Sequence, residues 1–176
     1  MSRYVAFLKG INVSGQKLIK MEELRKHFDI PGFKNVVTYI QSGNVLFDAK
    51  ETDTAKLRAK IEKMLAAKLG YEVSVIVRSI DEIKQTIKRN PYPNAETESE
   101  RKLYITLLSD IPDKAMHASL DKYKAESEEF SIIEREVYLL LASYGNTKLS
   151  NALIEKKLAV TGTTRNWATL NKILEL

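Results

Sequence analysis

The chain of 176 residues contains no cysteine. Disulfides, thiolate metal ligands and cysteine nucleophiles are excluded, and the composition fits a reducing compartment. Histidine is nearly as scarce: His27 and His117 are the two present, each flanking an apolar stripe on a different predicted helix. A zinc site would need an unusual number of carboxylates, and a Ser–His–Asp triad has little to draw on. The helix dipole accounts for His27 in a last turn. The acidic pairs Glu22/Glu23 and Glu128/Glu129 read as solvated faces, without the spacing of a glycosidase or metal pair. No metal and no cofactor are expected. Long apolar runs are missing too. Nothing approaches the roughly 20 residues of a membrane helix, and Lys9 and Asn12 interrupt an N-terminal run already too short for a signal peptide. The expectation is a cytoplasmic protein with no membrane association.

What remains is ordinary for a globular chain. With 44% hydrophobic and 29% charged residues it can pack one large or two small domains without staples. The 28 basic and 23 acidic side chains leave a net charge of +5. That balance permits nucleic acid or an acidic substrate, and Lys-rich solvated helices explain it as well.

Patterning supplies the architecture. Residues 3–9, 35–40, 45–47 and 73–77 read as strands, and residues 20–29 and 53–69 as amphipathic helices. The order is βαββαβ, which a ferredoxin-like sheet of four antiparallel strands backed by two helices satisfies. Ser79 and Glu82 form a capping box for a helix over about 80–89, and the Pro-rich, polar stretch to residue 101 reads as a linker. The second half repeats the order. Strands are expected at 103–108, 130–133, 137–141 and 158–161, and helices at about 112–125 and 148–157. A terminal helix over about 165–175 carries Trp167, Leu170 and Leu174 on one face. The expected fold class is α+β, with two ferredoxin-like units of antiparallel sheet, 1–78 and 102–176, joined by a helix and linker over 79–101.

Three polar segments carry no carboxylate, although the rest of the chain is well supplied with Asp and Glu: residues 10–17, 41–44 and 161–167. Glycine lets backbone N–H groups approach a ligand, Asn, Ser and Thr offer short hydrogen-bonding arms, and Lys or Arg adds positive charge. This is the chemistry of anion binding, phosphate above all. The ferredoxin-like topology brings the first two segments to one end of the sheet. Gly10 and Gly15 have P-loop spacing, but Gln16, Lys17 and Leu18 break the pattern, which excludes a nucleotide-triphosphatase loop. A looser cradle and a mere chain reversal both remain open for Gly10, Asn12 and Gly15. Gly43 and Asn44 suit a tight hairpin turn. Ser42 lacks a nucleophile-elbow frame. Thr163 or Thr164 is expected to cap the terminal helix, with Arg165 in its first turn. There the dipole disfavours a cation by about 0.3–1 kcal/mol, a cost that a surface position tolerates easily and that an anion shared with the free N–H groups would offset; both readings stay open. The strand over residues 44–47 lacks the basic-Gly-aromatic signature that sheet-face RNA readout needs.

The same segments resemble the bacterial domain-of-unknown-function family 1697 over nearly the whole chain. The markers are Phe7-Leu8-Lys9-Gly10-Ile11-Asn12-Val13-Ser14-Gly15, Tyr39-Ile40-Gln41-Ser42-Gly43-Asn44-Val45-Leu46-Phe47 and Thr163-Thr164-Arg165-Asn166-Trp167. Ser14 stands where a Gly is expected, and Gln16 where Asn is frequent. The resemblance implies two ferredoxin-like α+β units, a cytosolic protein and no assigned activity, and it transfers no catalytic residues.

The leading expectation is a module that binds a phosphorylated ligand, either a nucleotide-like small molecule or a nucleic-acid backbone. Lys17 and Arg165 would supply charge, and Asn12, Ser14, Ser42, Asn44, Thr164 and Asn166 hydrogen bonds. A transferase-type enzyme using the same residues is an alternative, though no positioned base accompanies them. A structural or interaction protein is the other.

Overall fold

The computed structural model describes residues 1–176, and every side chain except those of residues 96 and 98. The chain divides into two compact units: Met1–Lys84 together with Ile173–Leu176, and Gln85–Lys172. The fold is mixed α+β, with two four-stranded antiparallel sheets.

In the first unit the order is β1 (Ser2–Leu8), α1 (Met21–His27), β2 (Phe33–Tyr39), β3 (Asn44–Ala49), α2 (Thr54–Leu69) and β4 (Val75–Ser79), followed by α3 (Ile80–Lys88). The sheet order is β2-β3-β1-β4, every pair antiparallel. β1 is central, and its unbroken apolar run follows from that place: Val5 and Phe7 are as buried as Tyr4, Ala6 and Leu8. The Tyr4 face packs with Phe28, Phe33, Phe47, Leu57, Ile61 and Leu65 in one core. Leu57, Ile61 and Leu65 recur every four residues, so one stripe of α2 covers the sheet. Asp53 caps that helix by accepting from the Ala55 and Lys56 amides. The expected capping box at α3 is present: Glu82 accepts from the Ser79 amide at 2.7 Å and Ser79 Oγ from the Glu82 amide at 3.1 Å.

The second unit begins within α3 and continues through α4 (Ala95–Glu98), β5 (Lys102–Leu108), a 3-10 helix (Lys114–Tyr123), β6 (Glu129–Ile133), β7 (Glu136–Leu141), a short 3-10 turn (Tyr144–Asn146), α5 (Asn151–Leu158), β8 (Gly162–Asn166) and α6 (Trp167–Ile173). Its sheet order is β6-β7-β5-β8. The register repeats as well as the order. Val5 faces Arg78 and Ile105 faces Arg165; Phe7 faces Asn44 and Leu107 faces Glu136.

Several expectations need correction here. The helix expected over 112–125 is a 3-10 helix, and Met116 is exposed rather than inward. The last strand is not residues 158–161 but Gly162–Asn166. Leu158 completes α5, and Ala159 ends that helix at φ 55°. The α5 side chains then set where the strand begins: Asn151 Nδ2 donates to the Gly162 carbonyl, and Glu155 accepts from its amide. The terminal helix starts at Trp167 and buries Leu170 and Ile173, leaving Leu174 exposed.

Candidate ligand-binding loops

The segment after β1 folds as a miniature hairpin. The Asn12 amide donates to the Lys17 carbonyl at 3.1 Å and the Gln16 amide to the Val13 carbonyl at 2.9 Å. Ser14 and Gly15 at its tip have φ of 50° and 73°. Positive φ at both central residues defines a type I′ turn. Glycine takes that conformation freely, whereas Ser14 must tolerate it. Ser14, Gly15, Gln16 and Lys17 are exposed, and buried Ile11 anchors the loop from beneath.

The β2–β3 hairpin meets this loop, as the topology led one to expect. The Leu8 amide donates to the Gly43 carbonyl at 2.8 Å. Asn12 is the main tie. Its Nδ2 donates to the carbonyls of Ile19 (3.0 Å) and Gln41 (2.9 Å), and its Oδ1 accepts from the Ile19 amide at 2.8 Å. Gly43 permits the close approach: with φ of 81°, a Cβ there would lie 2.5 Å from Ile11 Cδ1 and 3.0 Å from Leu8 Cβ. Asn44 is fully buried and closes its own hairpin, donating to the Tyr39 carbonyl at 2.9 Å and to Ser42 Oγ at 3.1 Å. Lys17 Nζ reaches the Glu72 carbonyl at 3.1 Å and lies 5.2 Å from the Tyr71 ring centre.

The third segment belongs to the second unit and lies on β8. Thr164 Oγ1 bonds Thr106 Oγ1 at 2.8 Å and donates to Asn151 Oδ1 at 2.9 Å. Arg165 is 7% exposed, and its guanidinium donates to Thr163 Oγ1 at 2.9 Å and to the Thr164 carbonyl at 3.0 Å. Burial pushes its pKa down to about 10, against a smaller opposing influence of Tyr144, so it stays charged at neutral pH. The expected threonine cap is corrected: Asn166 caps α6, accepting from the Thr169 amide at 2.8 Å and from Thr169 Oγ1 at 2.7 Å. Pairing with β5 holds residues 162–166 extended, so the helix begins after Arg165 and no cation stands in its first turn.

Periodicity did not mark the surface around the two joined loops. No carboxylate occurs in residues 1–21 or 30–47, so the first unit presents its loop end with Lys9, Lys17 and Lys20 in acid-free stretches. Val13, Leu18 and Ile40 are exposed apolar residues of the same stretches. The length of the acid-free runs was the available signal.

A family model described as "Protein of unknown function (DUF1697)" matches residues 1–138. The chain belongs to this family. The DUF1697 match includes both loops of the first unit and ends within β7, so β8 and its Thr163–Asn166 residues lie beyond it. Among solved structures the chain is similar to the conserved bacterial protein SP0830 from Streptococcus pneumoniae. The identity is 23%, the TM-score 0.78, and the alignment covers 99% of this chain and 97% of that one. That likeness extends the shared fold over both units. No curated protein matches the chain. Among the described residues, no helix is long and apolar enough to cross a membrane.

Proposed function

We propose that the protein binds a phosphorylated ligand, a nucleotide-like molecule or a nucleic-acid backbone, at the joined loops of its first unit. One observation carries the reading: two carboxylate-free loops, distant in sequence, are tied by Asn12 to Gln41, with Ser14, Gln16 and Lys17 left at the surface. Asn12 and Asn44 spend their amides on holding the loops. Ser14, Ser42 and Lys17 then make the contacts, Lys17 by exchanging a single carbonyl partner for an anion. In this reading Thr164, Arg165 and Asn166 hold the second unit together rather than meet the ligand, Thr164 by its bond to Asn151, Arg165 with its charge buried on β8 and Asn166 as the cap of α6. We further propose that both units are ferredoxin-like, which the 2-3-1-4 strand order and its matched register support. We also place the protein in the cytoplasm, where a cysteine-free chain is at home.

The test is a thermal-shift and calorimetric screen of nucleotides, phosphosugars and short oligonucleotides at low salt. A ligand of this class should raise Tm. Lys17→Ala should weaken it, and an oligonucleotide should lose affinity steeply as salt rises. Absence of binding by every class at low salt would refute the proposal. The internal use of the Asn12 and Asn44 amides favours a second reading, in which the loops serve assembly alone. Lys17→Ala would then change no ligand response.

A further inference from the structure

The opposite end of the same sheet holds a cavity of about 450 Å³, inside the size range of small-molecule sites. Its floor is apolar: Phe33 and Ala49, paired across β2 and β3, and Leu57 of α2, all buried. Phe33 is braced from behind by Phe47, with ring centres 4.4 Å apart. The rim is cationic, with exposed Lys34, Lys50, Lys56 and Lys60 and one carboxylate, Glu51. Glu51 Oε1 already accepts from the Thr52 and Asp53 amides at 2.9 and 3.0 Å. Lys60 is fixed above the floor: its Nζ donates to the Pro31 carbonyl and lies 4.8 Å from the Phe33 ring centre. Among the described residues, Lys34, Lys50 and Lys56 have no carboxylate within ion-pair distance.

A greasy floor under unpaired ammonium groups selects for one kind of molecule. A small hydrophilic anion makes no use of the apolar lining, and a neutral apolar molecule leaves the lysines unanswered. We propose that this cavity binds an amphipathic anion, an acyl or alkyl chain ending in a carboxylate or phosphate. The chain lies over Phe33 and Leu57, against exposed Met1 and the lysine stems, and removes apolar area from water chiefly on its own side, while the head group meets Lys50 and Lys56 at the rim. Nothing in this proposal depends on the loops at the other end of the sheet.

Isothermal calorimetry with decanoate, below its micelle concentration, tests it. Decanoate should bind saturably with one site per chain. Decanol and decyltrimethylammonium should bind at least about tenfold more weakly, a difference of one charge contact. Decyl phosphate against decanoate separates the two head groups, and binding by either supports the site. The double variant Lys50→Glu/Lys56→Glu changes exposed residues only. It should weaken decanoate by at least about tenfold while leaving the ligand-free melting point nearly unchanged, and Lys17→Ala should leave decanoate binding intact. Saturable binding missing for both anions, decanol binding as well as decanoate, or affinity surviving the double reversal would each overturn the proposal. So would loss of decanoate binding in Lys17→Ala, because the ligand would then sit at the loops.

Discussion

Asn12 is the cross-brace of the first unit's loop end, and removing it isolates one physical quantity. Its side chain makes three hydrogen bonds, two with Ile19 and one with Gln41, at 2.8–3.0 Å. The two bonds to Ile19 are partly buried and the one to Gln41 is exposed, so water recovers part of each loss. Taking the lower part of the usual range for a net hydrogen bond, about 0.5–1 kcal/mol each, the three contribute about 2 kcal/mol. Asn12 also sits at φ 52°, where a side chain is strained. Asn12→Gly keeps the backbone at ease, loses the bonds and loosens the unfolded chain. Asn12→Ala loses the same bonds and adds about 1 kcal/mol of left-handed strain. For a chain of this length each kcal/mol moves Tm by about 2–4 °C. Asn12→Gly should therefore melt about 4–8 °C lower and Asn12→Ala about 2–4 °C lower again. Scanning calorimetry measures both, and hydrogen exchange at the Ile19 amide should accelerate in both. A glycine variant that melts with the wild type, its Ile19 amide still protected, would refute the claim that these bonds hold loop and hairpin together.

Other perturbations follow from the same geometry. Gly43→Ala forces a Cβ to 2.5 Å from Ile11 Cδ1 at φ 81°, so it should cost about 2–4 kcal/mol in urea denaturation. Adding Ile11→Val should restore part of that loss; no recovery would place the cost in the backbone alone. Asp48 gives a pH signature. Burial works against its carboxylate, but hydrogen bonds from Asn35 and Arg3, with the nearby Arg3 charge, outweigh it and hold the pKa below the ordinary 3.8. A depressed folded-state value stabilises fully above the unfolded-state value and fades as pH falls through the folded one. The stability gap between wild type and Asp48→Asn should thus be open at neutral pH and close in acid; a constant gap would mean the charge does not matter.

Much of the fold was visible in short-range pattern. Alternation located β4, and the four-residue recurrence of Leu57, Ile61 and Leu65 located α2. Ser79 and Glu82 announced the start of α3 because a capping box is local chemistry. The errors share a cause. Residues 158–161 look extended, and Thr163 looks like a cap. Asn151 and Glu155, from a helix a turn or two earlier, dock on Gly162 and shift the strand past Arg165. Met116 and Leu174 satisfied a helical stripe but fall outside the packed faces. At the loops, the acid-free composition was visible, whereas the division of labour between Asn12 as brace and Ser14 as exposed tip was not.

The amino-acid order alone determined where most of the strands and helices form and that two acid-free loops exist, since such preferences depend on neighbours three or four positions away. Tertiary structure decided what those residues do. Asn12 finds the Gln41 carbonyl 29 positions along the chain. Gly43 is required by an Ile11 that no nearby pattern reveals, and Phe33, Ala49 and Leu57 become one hollow only when β2, β3 and α2 pack. Contacts between segments that distant depend on how the chain closes on itself, which local periodicity does not encode.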